Sequence, residues 1–179
     1  MRKATATALV LMSAVLAFGA PQQQQQKSDW VKYNSDEGRY SALFPNQPEV
    51  SSQETTSSTN EKVTQHLATS ADQGTAYLIG YFDKSGMTFS FDKARDGMLA
   101  KIKGTLLAEK AISLGGHPGR EVKVAAKGSD DADYIALARY YDVKDRIYVV
   151  EVVFPKASEG SLSGNTAKFF DSFAVVTPQ

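Results

Sequence analysis

From Trp30 onward apolar and polar residues mostly alternate, the period-two pattern of strands with one buried face. Trp30-Val31-Lys32-Tyr33 runs through the turn-forming Asn34-Ser35-Asp36-Glu37-Gly38 into Tyr40-Ser41-Ala42-Leu43-Phe44, where Pro45-Asn46-Gln47-Pro48 stops it. Two strands joined by a turn predict a hairpin. Val50 to Asn60 is rich in Ser and Thr and is assigned no element. Lys62 to Thr69 sets Val63, Gln65 and Leu67 on one side against Lys62, Thr64 and His66 on the other, a half-buried strand. Thr75 to Phe82 is apolar almost throughout and reads as a central strand.

The period changes between Ser90 and Gly104. Phe91, Ala94, Met98, Leu99 and Ile102 recur at helical spacing, with Ser90 placed to cap, Asp92 in the first turn, and Lys101 and Lys103 in the last. Four strand-like runs follow, Leu106 to Leu114, Arg120 to Ala126, Tyr134 to Tyr141 and Ile147 to Phe154. Their links are too short for crossovers, so the four form an antiparallel meander. Ala167, Phe169, Phe170 and Phe173 make the apolar stripe of a closing helix. Strands grouped around one helix, with a second at the end, predict an α+β domain: an antiparallel sheet of about six or seven strands packed with two helices.

The amino terminus follows a different logic. Met1-Arg2-Lys3 is a short positive segment, Ala8 to Ala17 is an almost unbroken apolar run, and small residues follow. These are the parts of a signal peptide, and the run is too short to span a bilayer. Cleavage after Gly19 places Ala17 and Gly19 at the two small-residue positions; cleavage after Ala20 would set Phe18 in one of them. The expected organisation is a signal peptide at 1–19, a flexible Gln-rich spacer at 20–28 and one domain at 29–177. The mature protein is then exported, periplasmic or secreted, with no stable membrane insertion once the signal is removed. Cys is absent, which excludes disulfides, thiolate metal sites, a Cys nucleophile and a lipidated amino terminus.

Charge removes one partner class. Acidic and basic residues number 20 each, and loss of Arg2 and Lys3 leaves a mature net charge of about −2, without the basic excess that nucleic acid demands. Hydrophobic residues at 42% are ordinary for a folded domain.

Candidate chemistry is sparse. His66 and His117 are the only histidines and lack the spacing of a metal pair, so surface roles are expected for both. Gly115-Gly116-His117-Pro118-Gly119-Arg120 offers glycine amides and a guanidinium to an anion or partner, although hairpin geometry also explains the glycines. Asp130, Asp131 and Asp133, with Glu121 elsewhere, offer oxygens to a calcium-like cation but lack a twelve-residue loop closed by Glu; a solvated hairpin tip is the plainer reading. Gly160-Ser161-Leu162-Ser163-Gly164 misses the Gly-x-Ser-x-Gly elbow because Leu162 holds the nucleophile's place. The aromatic residues fall mostly on strands, where they pack.

The turn Ser35-Asp36-Glu37-Gly38-Arg39-Tyr40-Ser41, the stop Phe44-Pro45-Asn46-Gln47-Pro48, the stretch Ile112-Ser113-Leu114-Gly115-Gly116-His117-Pro118-Gly119-Arg120-Glu121 and the closing Phe169-Phe170-Asp171-Ser172-Phe173 occur in this order. Together they resemble exported bacterial proteins related to PsbP, of the Mog1/PsbP/DcrB-like fold, an antiparallel sheet between helices. The resemblance implies no shared catalytic motif, since its branches include photosystem II accessory subunits, binders of a small GTPase and envelope proteins. The expectation is therefore an exported, non-enzymatic accessory or interaction module without cofactor, whose partner is an envelope protein. The alternative is a small-molecule or calcium-like metal-binding domain.

Overall fold

The computed structural model describes residues 30–56 and 62–176; the signal peptide and spacer expected at 1–28 lie outside them. The first hairpin forms from β1 (Val31–Ser35) and β2 (Tyr40–Phe44). Three strands follow as a meander, β3 (Glu49–Thr56), β4 (Lys62–Asp72) and β5 (Thr75–Asp83). Helix α1 (Phe91–Ile102) begins where Ser90 accepts a hydrogen bond from the Lys93 amide and ends at Lys103, which adopts φ 50°. A second meander comprises β6 (Thr105–Leu114), β7 (His117–Lys127), β8 (Asp133–Val143) and β9 (Arg146–Pro155). A 3-10 turn at Lys156–Ser158, helix α2 (Ser163–Ser172) and the two-residue β10 (Ala174–Val175) complete the described chain.

The two meanders join into one antiparallel sheet of seven strands, ordered β3-β4-β5-β9-β8-β7-β6. The join is the β5–β9 pair, in register from Ala76↔Val153 to Asp83↔Arg146. Helix α1 covers one face, where Ala94 and Met98 pack on Leu78, Val122, Val124, Ala138 and Val149. Helix α2 and a small sheet, β1-β2-β10, cover the other, where Tyr40, Phe44, Phe169 and Phe173 pack on Tyr77, Ile79, Tyr148 and Val150. This is the α+β architecture read from the pattern, with two strands more than the periodicity disclosed.

Those two are β3 and β10. The Ser- and Thr-rich stretch does form a strand, but as a sheet edge paired only with β4 it exposes its described side chains and shows no apolar period. β10 is two residues held against β2. A different departure concerns His66, expected on a surface. Lys62 and Thr64 on the same face of β4 are exposed, but His66 is half-buried, its imidazole stacked on Tyr81 at a centroid distance of 4.6 Å and 3.7 Å from the Glu37 carboxylate.

Gly115 and Gly116 have φ 57° and 83°, the two positive values that a two-residue turn between β6 and β7 requires. Gly119 matters for a different reason, close approach. A β-carbon there would sit 2.7 Å from the Tyr140 carbonyl oxygen and 2.6 Å from the Tyr141 ring. Gly119→Ala is expected to lower stability by ~1–3 kcal/mol through this overpacking, read from urea unfolding. An unchanged midpoint would show that β7 and β8 separate freely.

One carboxyl group lies inside the α1 face. Glu151 on β9 is 8% exposed, and burial pushes its pKa up to about 7 against the attraction of Lys101. The native state thus holds a proton that the unfolded chain releases near the ordinary glutamate value, so stability falls as pH rises from about 4.5 to 7. Glu151→Gln removes the titration. Its melting temperature should match the wild type at pH 4 and exceed it at pH 8, by up to ~3 kcal/mol of stability. Equal melting temperatures at pH 8 would show that the ionised carboxylate is fully compensated.

Candidate functional site

Helix α2 has ten residues and is therefore about 15 Å long, whereas seven strands about 4.8 Å apart make a sheet nearly twice as wide. The small sheet covers the β4–β5–β9 side of that face, and the β6–β7 side is left partly open. There a cleft of about 450 Å³ lies between α2 and strands β6 to β9. Its floor is Leu137 and Phe154, and its helical wall is Ala167 and Phe170.

Charge gathers at the rim. On β7, Glu121 and Lys123 are two residues apart and so point to the same face, opposite to Val122 and Val124 in the core beneath α1. Glu121 takes hydrogen bonds from Arg139 on β8 (Nε to Oε2, 2.6 Å) and pairs with Lys110 on β6 (2.9 Å). Burial raises the Glu121 pKa, but the hydrogen bonds from Lys110 and Arg139 outweigh it and hold the carboxyl below its ordinary range. The Arg139 guanidinium lies over the Phe170 ring at 4.3 Å, tying the rim to the helix. Across the mouth, Lys123 pairs with Glu159 from the segment between the 3-10 turn and α2.

The candidates read from sequence are arranged differently. Gly115, Gly116 and His117 close the β6–β7 hairpin, and His117 lines a recess of about 70 Å³ with Arg39, Lys144, Arg146 and Tyr148. Arg120 is three residues on along an extended strand and therefore faces the other side of the sheet. There it pairs with Glu109 and with Asp92 (3.4 Å) and lies over Phe91. The glycine turn and the guanidinium do not converge.

The acidic tip is a partnered hairpin. Asp130 accepts from the Ala132 amide and the Tyr134 hydroxyl, both at 3.1 Å, and Asp133 pairs with Lys127 at 3.0 Å. Asp131 takes φ 63° in the turn. Glu121 is six residues from Lys127 along β7, about 20 Å away, and does not join them. Among the described residues no group of three or more His, Cys, Asp or Glu is arranged to hold a metal ion. The near-miss serine segment forms the turn leading into α2 rather than a strand-to-helix elbow, and its Ser163 lines the cleft.

Sequence reading missed the rim itself. A signal was present: Glu121, Lys123 and Arg139 are charged residues inside strands, Lys123 and Arg139 between two buried neighbours and Glu121 beside buried Val122. Periodicity marks such positions as outward-facing, and only the fold shows that outward is the cleft wall.

A seven-stranded antiparallel sheet with a helix on each face and a small accessory sheet is a PsbP-like fold, as the sequence resemblance implied. The cyanobacterial PsbP protein (CyanoP) of Synechocystis superimposes with a TM-score of 0.60 at 10% identity, covering 87% of this chain and 98% of that one. The PA94 protein of Pseudomonas aeruginosa aligns at 10% identity over 84% of this chain and 97% of that one, with a TM-score of 0.45. No protein-family profile matches the sequence. No curated protein matches it either.

Glu121→Gln removes the negative charge that both Lys110 and Arg139 address. It should lower stability at pH 7 by ~1 kcal/mol, a few degrees of melting temperature. Because the folded pKa is depressed, the wild type's advantage exists above the ordinary glutamate value and vanishes as pH falls through the lower one. The two proteins should melt together once the pH is below that lower value. A difference that persists there would assign the effect to shape rather than charge.

Proposed function

We propose that this protein is an exported, non-enzymatic accessory module of the cell envelope that works by holding a small ligand in the α2 cleft. The observation that carries this reading is the make-up of the cleft. Its floor is apolar, and of its six charged side chains Lys110, Glu121, Lys123, Arg139 and Glu159 are engaged with one another and Glu109 with Arg95 and Arg120. Such groups orient and select a ligand; acid–base or nucleophilic chemistry calls instead for a group poised against a reacting atom. Export rests on the charged, apolar and small-residue segments of residues 1–19. Among the described residues no helix is long and apolar enough to cross a membrane.

Within the accessory reading the concavity favours a small molecule over a broad protein face. A standard protein interface takes about 800 Å² from each partner around a packed centre. A cleft of about 450 Å³ falls in the range of ligand pockets.

Ala167 is exposed on α2 and lines the cleft, so Ala167→Trp fills the space without entering the core. Native mass spectrometry of the protein recovered from its envelope fraction should show an added mass that Ala167→Trp lacks. The reading fails if neither protein carries one, or if the wild type turns over generic ester, phosphate or glycoside substrates and Ala167→Trp does not.

A further inference from the structure

From the first turn of α2, Ser163 and Thr166 line the same cleft. Leu162 stands at the helix's N-cap position and supplies no side-chain hydrogen bond, so the first-turn amides lack the usual oxygen acceptor. A β-carbon built on Gly164 in that turn meets nothing within 4 Å, so the backbone there is open to approach. A helix start with this character favours negative charge, by orphan N–H groups and by the macrodipole.

A second observation points the same way. Thr166, one turn along and 8% exposed, lines the cleft, and its Oγ1 is buried without a hydrogen-bond partner among the described residues. A buried hydroxyl without a partner costs stability, and a ligand oxygen would relieve the cost. Charge supplies a third. The lining carries three cations, Lys110, Lys123 and Arg139, and three carboxylates, but Glu109 is already paired with Arg95 and Arg120 on the α1 side, which leaves Glu121 and Glu159 to face the three cations.

The two carboxylates are not equally displaceable. Glu121 is 13% exposed on its side chain and serves two cations from a central position on β7. Glu159 is 41% exposed, lies outside regular structure and serves Lys123 alone. Glu159 is thus the carboxylate that an incoming anion would displace more easily.

Resting on the cleft reading above, we infer that the ligand is a single-chain amphiphile with a carboxylate head. The head exchanges with Glu159 on Lys123 and accepts from Thr166 and the first-turn amides of α2, while the chain lies over Leu137, Phe154 and Phe170.

Dodecanoate, added to the full chain below its micelle concentration, is the probe, followed by isothermal titration calorimetry. One saturable site is expected. Lys123→Ala should weaken it about tenfold or more, the effect of losing a charge-assisted contact, and Ala167→Trp should abolish it. Thr166→Val should weaken binding without lowering the melting temperature. Glu159→Gln should tighten binding, because the competing carboxylate is gone; a structural strap at this position would give no such gain. Dodecyltrimethylammonium should not bind.

The inference is overturned if dodecanoate does not bind, if the cationic analogue binds equally well, or if affinity is indifferent to Lys123→Ala and Ala167→Trp. Binding to anionic vesicles without dodecanoate uptake also overturns it. Should the envelope-recovered protein carry a cleft-dependent mass while dodecanoate fails, the ligand class falls and the cleft reading stands; should both fail, both fall.

Discussion

The pairing of β5 with β9 is the constraint on which the rest of the molecule depends. Each meander alone would have two open edges and two uncovered faces. Joined through eight registered pairs, they form one sheet whose middle strands are buried on both sides. Side chains of β5 and β9 alternate between the two cores: Tyr77, Ile79, Tyr148 and Val150 toward α2 and the small sheet, Leu78 and Val149 toward α1. Both faces of these two strands are buried, which is why their apolar runs are near-continuous, and a one-residue slip in the pair would exchange the two cores.

The same geometry sets where the molecule stays open. Apolar cover is concentrated over the centre, and on β6 it reaches only the Ile112 and Leu114 end, leaving the stretch around Ala108 to Lys110 open. The cleft is thus the uncovered margin of a sheet too wide for its lid. Its floor keeps the apolar character of the inner strands, and its rim has the charges of an edge. Arg139 bridges the two regimes, bonded to Glu121 on one side and lying over Phe170 on the other.

Glu121 and Glu151 show what those environments do to one functional group. Both are carboxyl groups on inner strands of the sheet. Glu121 faces two cations that hydrogen-bond to it, and these outweigh its desolvation. Glu151 faces the packed α1 interface, where desolvation dominates over the attraction of Lys101 and the protonated form is favoured. The difference lies in the partners that the opposite strands and helices supply.

Much of the fold was legible along the chain because strands and helices write their period into the order of apolar residues. The two hairpin-rich halves, α1 with its Ser90 cap, α2 with Phe169 and Phe170, and the Gly115-Gly116 turn all follow from neighbours within a few positions. The edge strand β3, the short β10 and the stacking of His66 on Tyr81 did not, since each depends on a partner strand remote in sequence or on cover supplied by another layer. The candidate site belongs to the second kind. Lys110, Glu121, Lys123, Arg139, Glu159 and Thr166 come from four separate elements and the segment before α2, and no local spacing relates them. The sequence by itself determined the elements, because their signals are short-range. Tertiary structure alone decided the cleft, because a cleft is the space left after the layers have packed.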